Sequence, residues 1–290
     1  MPEDPGPLIR RRQLGSTLRR FRNAAGLSVN EVAERLLCSP SKISRIENAQ
    51  RNATLRDVRD LCNMYGITDE VLQKELMGLA RESRKRGWWQ DANLDPSLVT
   101  LIGMEGAAKV ISEYETLTIP GLLQTRDYAE AIRNVFDLDG TAARHPAVVD
   151  VRMRRQQILA TTPRPTYNVV LDEAALHRAV GGPGVMRMQI EHLVEMAGMS
   201  VVEIQVIPFS KGAHLGMNNG FTILDFAEPA APDGGSIVPA VVYVEGITGD
   251  NYHDTLSEVE LFVDAFAQLR GLALSHADTL TLMREMIKLR

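Results

Sequence analysis

The sequence is short of the features that define several protein classes. Only two cysteines, Cys38 and Cys62, occur among 290 residues, too few for a disulfide framework or a four-ligand zinc site. Each lies inside an apolar pattern and reads as a reduced, packed thiol. No apolar run approaches the roughly 18 residues that a bilayer-spanning helix needs. The opening MPEDPGPLIRRRQ lacks the apolar stretch of a signal peptide, so a cytoplasmic location with no membrane partner is expected. Internal repeats and low-complexity blocks are missing too. There is no G-x-S-x-G elbow, P-loop or G-x-G-x-x-G turn, and no two of the six histidines stand at the i, i+4 spacing of a zinc clamp. The expectation is a protein that is not an enzyme and that holds no metal or cofactor.

What is present is an ordinary globular mixture, 44% apolar and 24% charged, at a length that suits two domains. The net charge of -5 is unevenly spread. Residues 1–86 carry 17 Lys and Arg against 11 Asp and Glu, whereas residues 87–290 carry 15 against 26. A basic end joined to an acidic remainder fits a polyanion-binding module attached to one that must avoid polyanions.

Five short helices are expected in the basic part. Leu14, Leu18, Phe21 and Ala25 recur at helical spacing before a stop at Gly26. Ser28 with Glu31 makes a capping box for a helix striped by Val32, Ala33 and Leu36. Ser39 caps the next, with Pro40 at its first position and Ile43 and Ile46 inward. Thr54 opens a fourth helix, and Val71, Leu72, Leu76 and Leu79 mark a fifth. The segment from Val29 to Ile46 has helix-turn-helix spacing, with small Ala33 where two backbones must approach. The outward residues of its second helix are hydroxyls and cations, with no acid before Glu47, as contact with phosphates and base edges requires. An ordinary helical hairpin with a solvated polar face is the alternative reading.

The wording LSVNEVAERLLCSPSKISRIENAQRNATLRDV resembles the xenobiotic-response-element and Cro/CI-type helix-turn-helix family over about residues 14–80. That resemblance implies a dimer reading a palindromic double-stranded operator. By position it assigns Ser39, Ser41, Lys42, Ser44 and Arg45 to the DNA face, Arg51 and Asn52 to the phosphate backbone, and Glu47 to an internal salt bridge. Val29 stands where the family has a phosphate-gripping glutamine, so Asn30 is the substitute. Leu37 replaces a common turn glycine, and Ala49 and Ala53 replace a glycine and a proline.

The acidic part mixes helices and strands. A helix from Asp95-Pro96 to about Leu117 is expected, then helices after Thr125 and Pro146. Strands are expected at Tyr167–Leu171, Val201–Ile207, Phe221–Phe226 and Val241–Val244, with helices at about 173–180 and 184–197, a surface loop at Ala227–Pro239 and two closing helices. Trp88-Trp89, Ile119-Pro120-Gly121-Leu122-Leu123-Gln124-Thr125 with Tyr128-Ala129, Arg152 with Arg155-Gln156, Asp172-Glu173-Ala174-Ala175-Leu176, and Val206-Ile207-Pro208 resemble the C-terminal domain of actinobacterial WhiJ-like regulators. Those are antitoxin-like and often encoded beside a small companion protein.

Candidate ligand- or partner-binding residues in this part are Arg152, Arg155, Gln156, Glu173 and His214. The first three share a helix face and could hold a small anionic ligand or an acidic partner segment; internal pairing, with Glu173 or Glu105, is the competing account. Trp88 and Trp89 suit a staple between domains.

The whole reads as a multidomain chain: a flexible arm over 1–12, an all-α helix-turn-helix domain over 13–80, a linker over 81–87, and an α+β effector domain over 88–290 with a small, mainly antiparallel sheet. The expected function is a sequence-specific, homodimeric transcriptional regulator whose effector domain senses a ligand or partner. The alternatives are an antitoxin-like module that captures a companion protein and autoregulates, and a DNA-tethered hydrolase. The charge asymmetry makes a testable forecast. Fragment 1–86 should bind nonspecific DNA more tightly per monomer than the full chain, with a steep salt dependence. Equal affinities at matched low salt, for a folded fragment in the same oligomeric state, would remove the acidic domain's role as a brake.

Overall fold

The computed structural model describes residues 7–49, 51–84, 96–136, 147–162, 164–226, 240–246 and 249–289. Trp88, Trp89, Asp95, Pro146 and the expected loop at 227–239 lie outside these residues. Among the described residues, no helix is long and apolar enough to cross a membrane.

Five helices build the basic part: α1 (Pro7–Ala24), α2 (Val29–Arg35), α3 (Pro40–Glu47), α4 (Leu55–Met64) and α5 (Glu70–Glu82). The local signals act as read. Ser28 and Glu31 close a capping box on α2, Ser39 accepts from the Lys42 amide on α3, and Thr54 and Asp57 close a second box on α4. Leu14, Leu18, Val32, Ala33, Ile43, Ile46, Val58, Leu61 and Leu76 meet in one core. Val71 is exposed instead and Ala80 is buried, because α5 starts at Glu70 and turns its later residues inward.

Of the arm expected over 1–12 and the linker expected over 81–87, residues 7–12 and 81–84 are described; residues 7–12 lie in α1, and residues 81 and 82 in α5. Helix α1 begins at Pro7 and so includes Arg10, Arg11 and Arg12. Arg10 donates to Glu82 at 2.6 Å, pinning the first turns of α1 to the end of α5. Ser83 is buried, and the Arg84 guanidinium donates to the Ala53 carbonyl at 3.1 Å. Gly15 is a glycine for steric reasons that no local pattern announces. A Cβ there would lie 2.6 Å from the carbonyl oxygens of both Ile46 and Glu47, so α1 crosses the end of α3 backbone to backbone.

The acidic part contains α6 (Pro96–Glu105), β1 (Val110–Glu115), α7 (Arg126–Phe136), α8 (Ala147–Arg155), β2 (Thr166–Asp172), α9 (Glu173–His177), α10 (Pro183–Met196), β3 (Val202–Ile207), β4 (Phe221–Asp225), β5 (Ala240–Val244), β6 (Asn251–His253), α11 (Leu256–Leu272) and α12 (His276–Lys288). The sheet order is β3-β2-β1-β4-β5-β6. Two pairs are parallel, β1 with β2 and β2 with β3; three are antiparallel. The sheet is thus mixed, with helical crossovers feeding the parallel half. One face, carrying Ile111, Tyr167, Val169, Leu171, Leu224 and Val241, is covered by Tyr128 of α7, Met186 and Ile190 of α10 and Met283 of α12. The other, carrying Tyr114, Val170, Ile223 and Val242, is covered by Val259, Phe266 and Leu269 of α11.

The helix expected to reach Leu117 is the largest correction. Helix α6 stops at Glu105, and residues 110–115 form β1, a central strand hydrogen-bonded on both sides. Its inward face presents Ile111 and then Glu113, so a carboxylate stands where alternation would show a second apolar residue.

Helix α1 also touches the acidic part. The Arg12 guanidinium lies 3.7 Å from the Asp254 carboxylate and 5.7 Å from the centroid of the Tyr252 ring.

Two turns in the basic part hold non-glycine residues in left-handed backbone, Leu37 at φ 52° and Ala49 at φ 57°. At the first, the Leu37 amide donates to Glu34 O and the Cys38 amide to Ala33 O, a turn normally completed by glycine. The Leu37 side chain is 95% exposed, so no packing offsets a steric cost of roughly 1–2 kcal/mol. Allowing for the greater freedom glycine has when unfolded, Leu37→Gly should stabilise the protein by about 0.5–1 kcal/mol in urea denaturation. A lower midpoint would show that the leucine side chain contributes to the fold.

Candidate nucleic-acid interface and effector site

Helix α3 is positioned from both ends. Its start is capped by Ser39, and its last residue, Glu47, is buried. The Arg22 guanidinium of α1 donates to that carboxylate through Nε at 2.8 Å and Nη2 at 2.9 Å, and through Nη1 to the Leu27 carbonyl at 2.7 Å. A forked, fully hydrogen-bonded pair is the arrangement in which a buried charge is tolerable. Glu47 therefore has the internal role expected of it. Its partner Arg22 sits in the last turn of α1.

With that end anchored, the outward face of α3 carries a hydrogen-bonded row. The Ser39 and Ser41 hydroxyls are 3.0 Å apart, and Arg45 donates through Nε to Ser41 O and through Nη2 to Ser41 Oγ, both at 3.2 Å. Ser39, Ser41 and Arg45 are exposed, as are Asn30 near the start of α2 and Arg51 after α3. Ser44 is half-buried and accepts from Asn48 Nδ2 at 3.3 Å; Asn52 is half-buried as well.

Lys42 departs from this row. Its Nζ lies 2.5 Å from Asp57 Oδ1 at the start of α4. Burial opposes ionisation of Asp57, but hydrogen bonds from Lys42 and Thr54 overcome it and hold the carboxyl below its ordinary range. Lys42 ties α3 to α4, so its charge is not free in the way the spacing suggested.

The effector residues fall into two groups on opposite faces of the sheet. Arg155 is buried and donates to both oxygens of buried Glu105, at 2.5 Å from Nε and 2.6 Å from Nη2. Arg152 donates to Gln124 Oε1 at 2.5 Å, and Gln156 Nε2 to the carbonyls of Gly121 at 3.0 Å and Gln124 at 2.8 Å. The Pro-Gly-Leu-Leu-Gln-Thr segment is thereby clamped onto α8. A Cβ on Gly121 would come within 3.3 Å of Arg155 Nη1, which explains a glycine at that point. Among the described residues, Arg152, Arg155 and Gln156 show the internal pairing that competes with an anion-receiving cleft. These donors face inward because Glu105 and the turn carbonyls would otherwise be buried unpaired. The internal partner of Arg155 is Glu105 rather than Glu173.

Glu173 lies elsewhere, at the end of β2. It accepts from the Phe209 amide at 2.7 Å and lies 3.1 Å from His177 Nε2. The side chain of His214, the other candidate, is only 4% exposed and its Nε2 lies 3.2 Å from Asp172 Oδ2. The chain after β3 folds back over Tyr114, whose ring and the His214 ring meet edge-on with centroids 6.3 Å apart.

Two carboxylates on β1 were not anticipated as a pair. Glu113 is buried and accepts from the Tyr167 hydroxyl at 2.5 Å. Burial pushes its carboxyl up to about 7, against that hydrogen bond. Burial, reinforced by the charges of Glu113 and Glu245, pushes Glu115 up to about 8. Among the described residues no group of His, Cys, Asp and Glu has the arrangement of a metal site.

The capped helix pair and its five-helix support define a helix-turn-helix domain, and residues 13–76 match the family model described as helix-turn-helix domain. Residues 98–285 match the model described as domain of unknown function (DUF5753), and since that match spans most of the chain, the protein belongs to this family. No curated protein and no solved structure matches the chain.

The raised carboxyls give a pH forecast. A carboxyl whose folded value lies above its unfolded one favours folding while protonated, and that contribution is lost as pH rises from about 4.5 through 7 to 8. The double variant Glu113→Gln/Glu115→Gln should therefore gain stability relative to the native chain between pH 5 and pH 8, by on the order of 1–3 kcal/mol. Urea midpoints at several pH values test this; parallel curves for the two proteins would refute the assignment.

Proposed function

We propose that the chain is a sequence-specific transcriptional regulator of the xenobiotic-response-element and Cro/CI type, similar to the actinobacterial WhiJ-like proteins, that binds a two-fold operator as a homodimer. The observation carrying this reading is the outward row Ser39, Ser41 and Arg45 on a helix whose other end is locked by Arg22 and Glu47. A rigid helix presenting short hydroxyls and a forked cation suits base edges and phosphates in a major groove. Asn30 and Arg51, both exposed, are suited to flanking phosphates. A helix-turn-helix domain fits a regulator rather than an enzyme.

The effector domain is proposed to receive the signal as a small companion protein encoded nearby, in the antitoxin-like manner, rather than as an anion at Arg155. Supporting this choice, the arginine donors once available for an anion are occupied by Glu105 and Gln124. A partner protein needs only surface, whereas an anion at Arg155 would have to displace a buried ion pair.

Band-shift titration on the native operator tests the reader. Arg45→Ala should weaken binding by about 1–3 kcal/mol and relax sequence selectivity, as expected for a bidentate base contact. Lys42→Ala should have a smaller effect on DNA, because Asp57 already holds its ammonium. Unchanged affinity and selectivity in both variants would overturn the assigned face.

A further inference from the structure

One helix of the effector domain has an apolar seam pointing away from its own core. Helix α11 buries Val259, Phe266 and Leu269 against the sheet. Leu256, Glu260, Val263, Ala267 and Arg270, spaced by four and three residues alternately, are all exposed on it. This is the two-in-seven spacing with which one helix lies along another. Leu256 is 64% exposed and Val263 47%. Between α11 and the edge strand β3 runs a groove lined by Val263, Phe266, Ala267 and Arg270 together with Glu203 and Gln205.

We infer that this face is the homodimer interface, with α11 of a second copy lying antiparallel across it. The inference rests on the homodimer of the proposed function and assigns its surface. The occupant follows from the charge pattern. A two-fold axis passing midway between Val263 and Ala267 sets Glu260 opposite Arg270 of the second copy, and Arg270 opposite the second Glu260. Val263 then faces Ala267 on both sides. The seam is self-complementary, as a two-fold interface must be. Arg270 already donates to Glu203 at 2.6 Å and Gln205 at 3.0 Å, which orients its guanidinium at the groove rim. Glu260 has no ion-pair partner among the described residues. Seventeen residues make a helix roughly 26 Å long, and small Ala267 and Gly271 permit close approach.

Sedimentation equilibrium of the full chain without DNA tests the assignment. The native protein should sediment as two chains at micromolar concentration. Glu260→Arg and Arg270→Glu, each placing like charges opposite one another, should sediment as one chain. The double variant, which restores both pairs in reversed order, should return to two chains. Val263→Glu, at an exposed position that the fold does not need, should also be monomeric while keeping the native circular dichroism and melting profile. A monomeric native chain, a dimer that survives Glu260→Arg and Val263→Glu, or a double variant that stays monomeric overturns the interface. The failure is separable from that of the reader: folded monomers should still bind a single half-site at high concentration, whereas a reader without DNA affinity would fail as a dimer too.

Discussion

The buried fork between Arg22 and Glu47 is the interaction on which the reader depends. Both groups are nearly removed from water, and either one alone would be a buried charge without a partner, a loss of about 3–5 kcal/mol. The pair holds the last turn of α3 to the last turn of α1. Gly15 carries no Cβ to keep the two backbones apart. The third guanidinium donor closes the turn into α2 at the Leu27 carbonyl. A single arginine thus fixes the angle of both helices of the helix-turn-helix. The outward row on α3 is held by that pair together with its own Ser39, Ser41 and Arg45 hydrogen bonds.

The effector domain repeats the same physics in a different frame. Arg155 and Glu105 join α8 to α6, and Arg152 and Gln156 take up the carbonyl and side-chain oxygens of the turn between β1 and α7. This polar layer sits on the sheet face that also carries Glu113 and Tyr167. Its members satisfy one another, which is the condition for placing so many polar groups above a central strand. A consequence is that a conspicuous phrase in the sequence, with its glycine and its neighbouring arginines, is explained by internal architecture. Function in this domain is then sought on its surface, where α11 and the turn beside it leave apolar residues uncovered.

The two parts are joined by more than a chain connection. Helix α1 carries Arg22 at one end and Arg12 at the other, and Arg12 lies against Tyr252 and Asp254 beside β6. The cluster of arginines that suggests a loose basic arm is therefore paired within the protein: Arg10 with Glu82 and Arg12 with the effector domain.

The helical part of this fold was legible because its determinants are local. Ser28 with Glu31, Ser39 with Pro40, Thr54 with Asp57 and the apolar spacing of Val32, Ile43 and Ile46 all act within one or two helical turns, and each is found where the residues indicate. Leu37 and Ala49 stand where the resembling family has glycine, and their left-handed backbone shows that the turn geometry is kept without it. Strands β2 to β5 were readable from apolar and β-branched runs, whereas the three-residue β6 carried no such signal. Strand β1 was not, since its inward carboxylate is matched by a tyrosine 54 residues away. Lys42 reads as a free cation until α4 brings Asp57 to it, and Arg155 reads as a ligand donor until α6 brings Glu105. Sequence by itself determined the capped starts of α2, α3 and α4, which of their faces are apolar and that the basic end is a helix-turn-helix. Tertiary structure alone decided which charges are paired, because a charge finds its partner through chain segments tens of residues apart, and periodicity carries no record of that meeting.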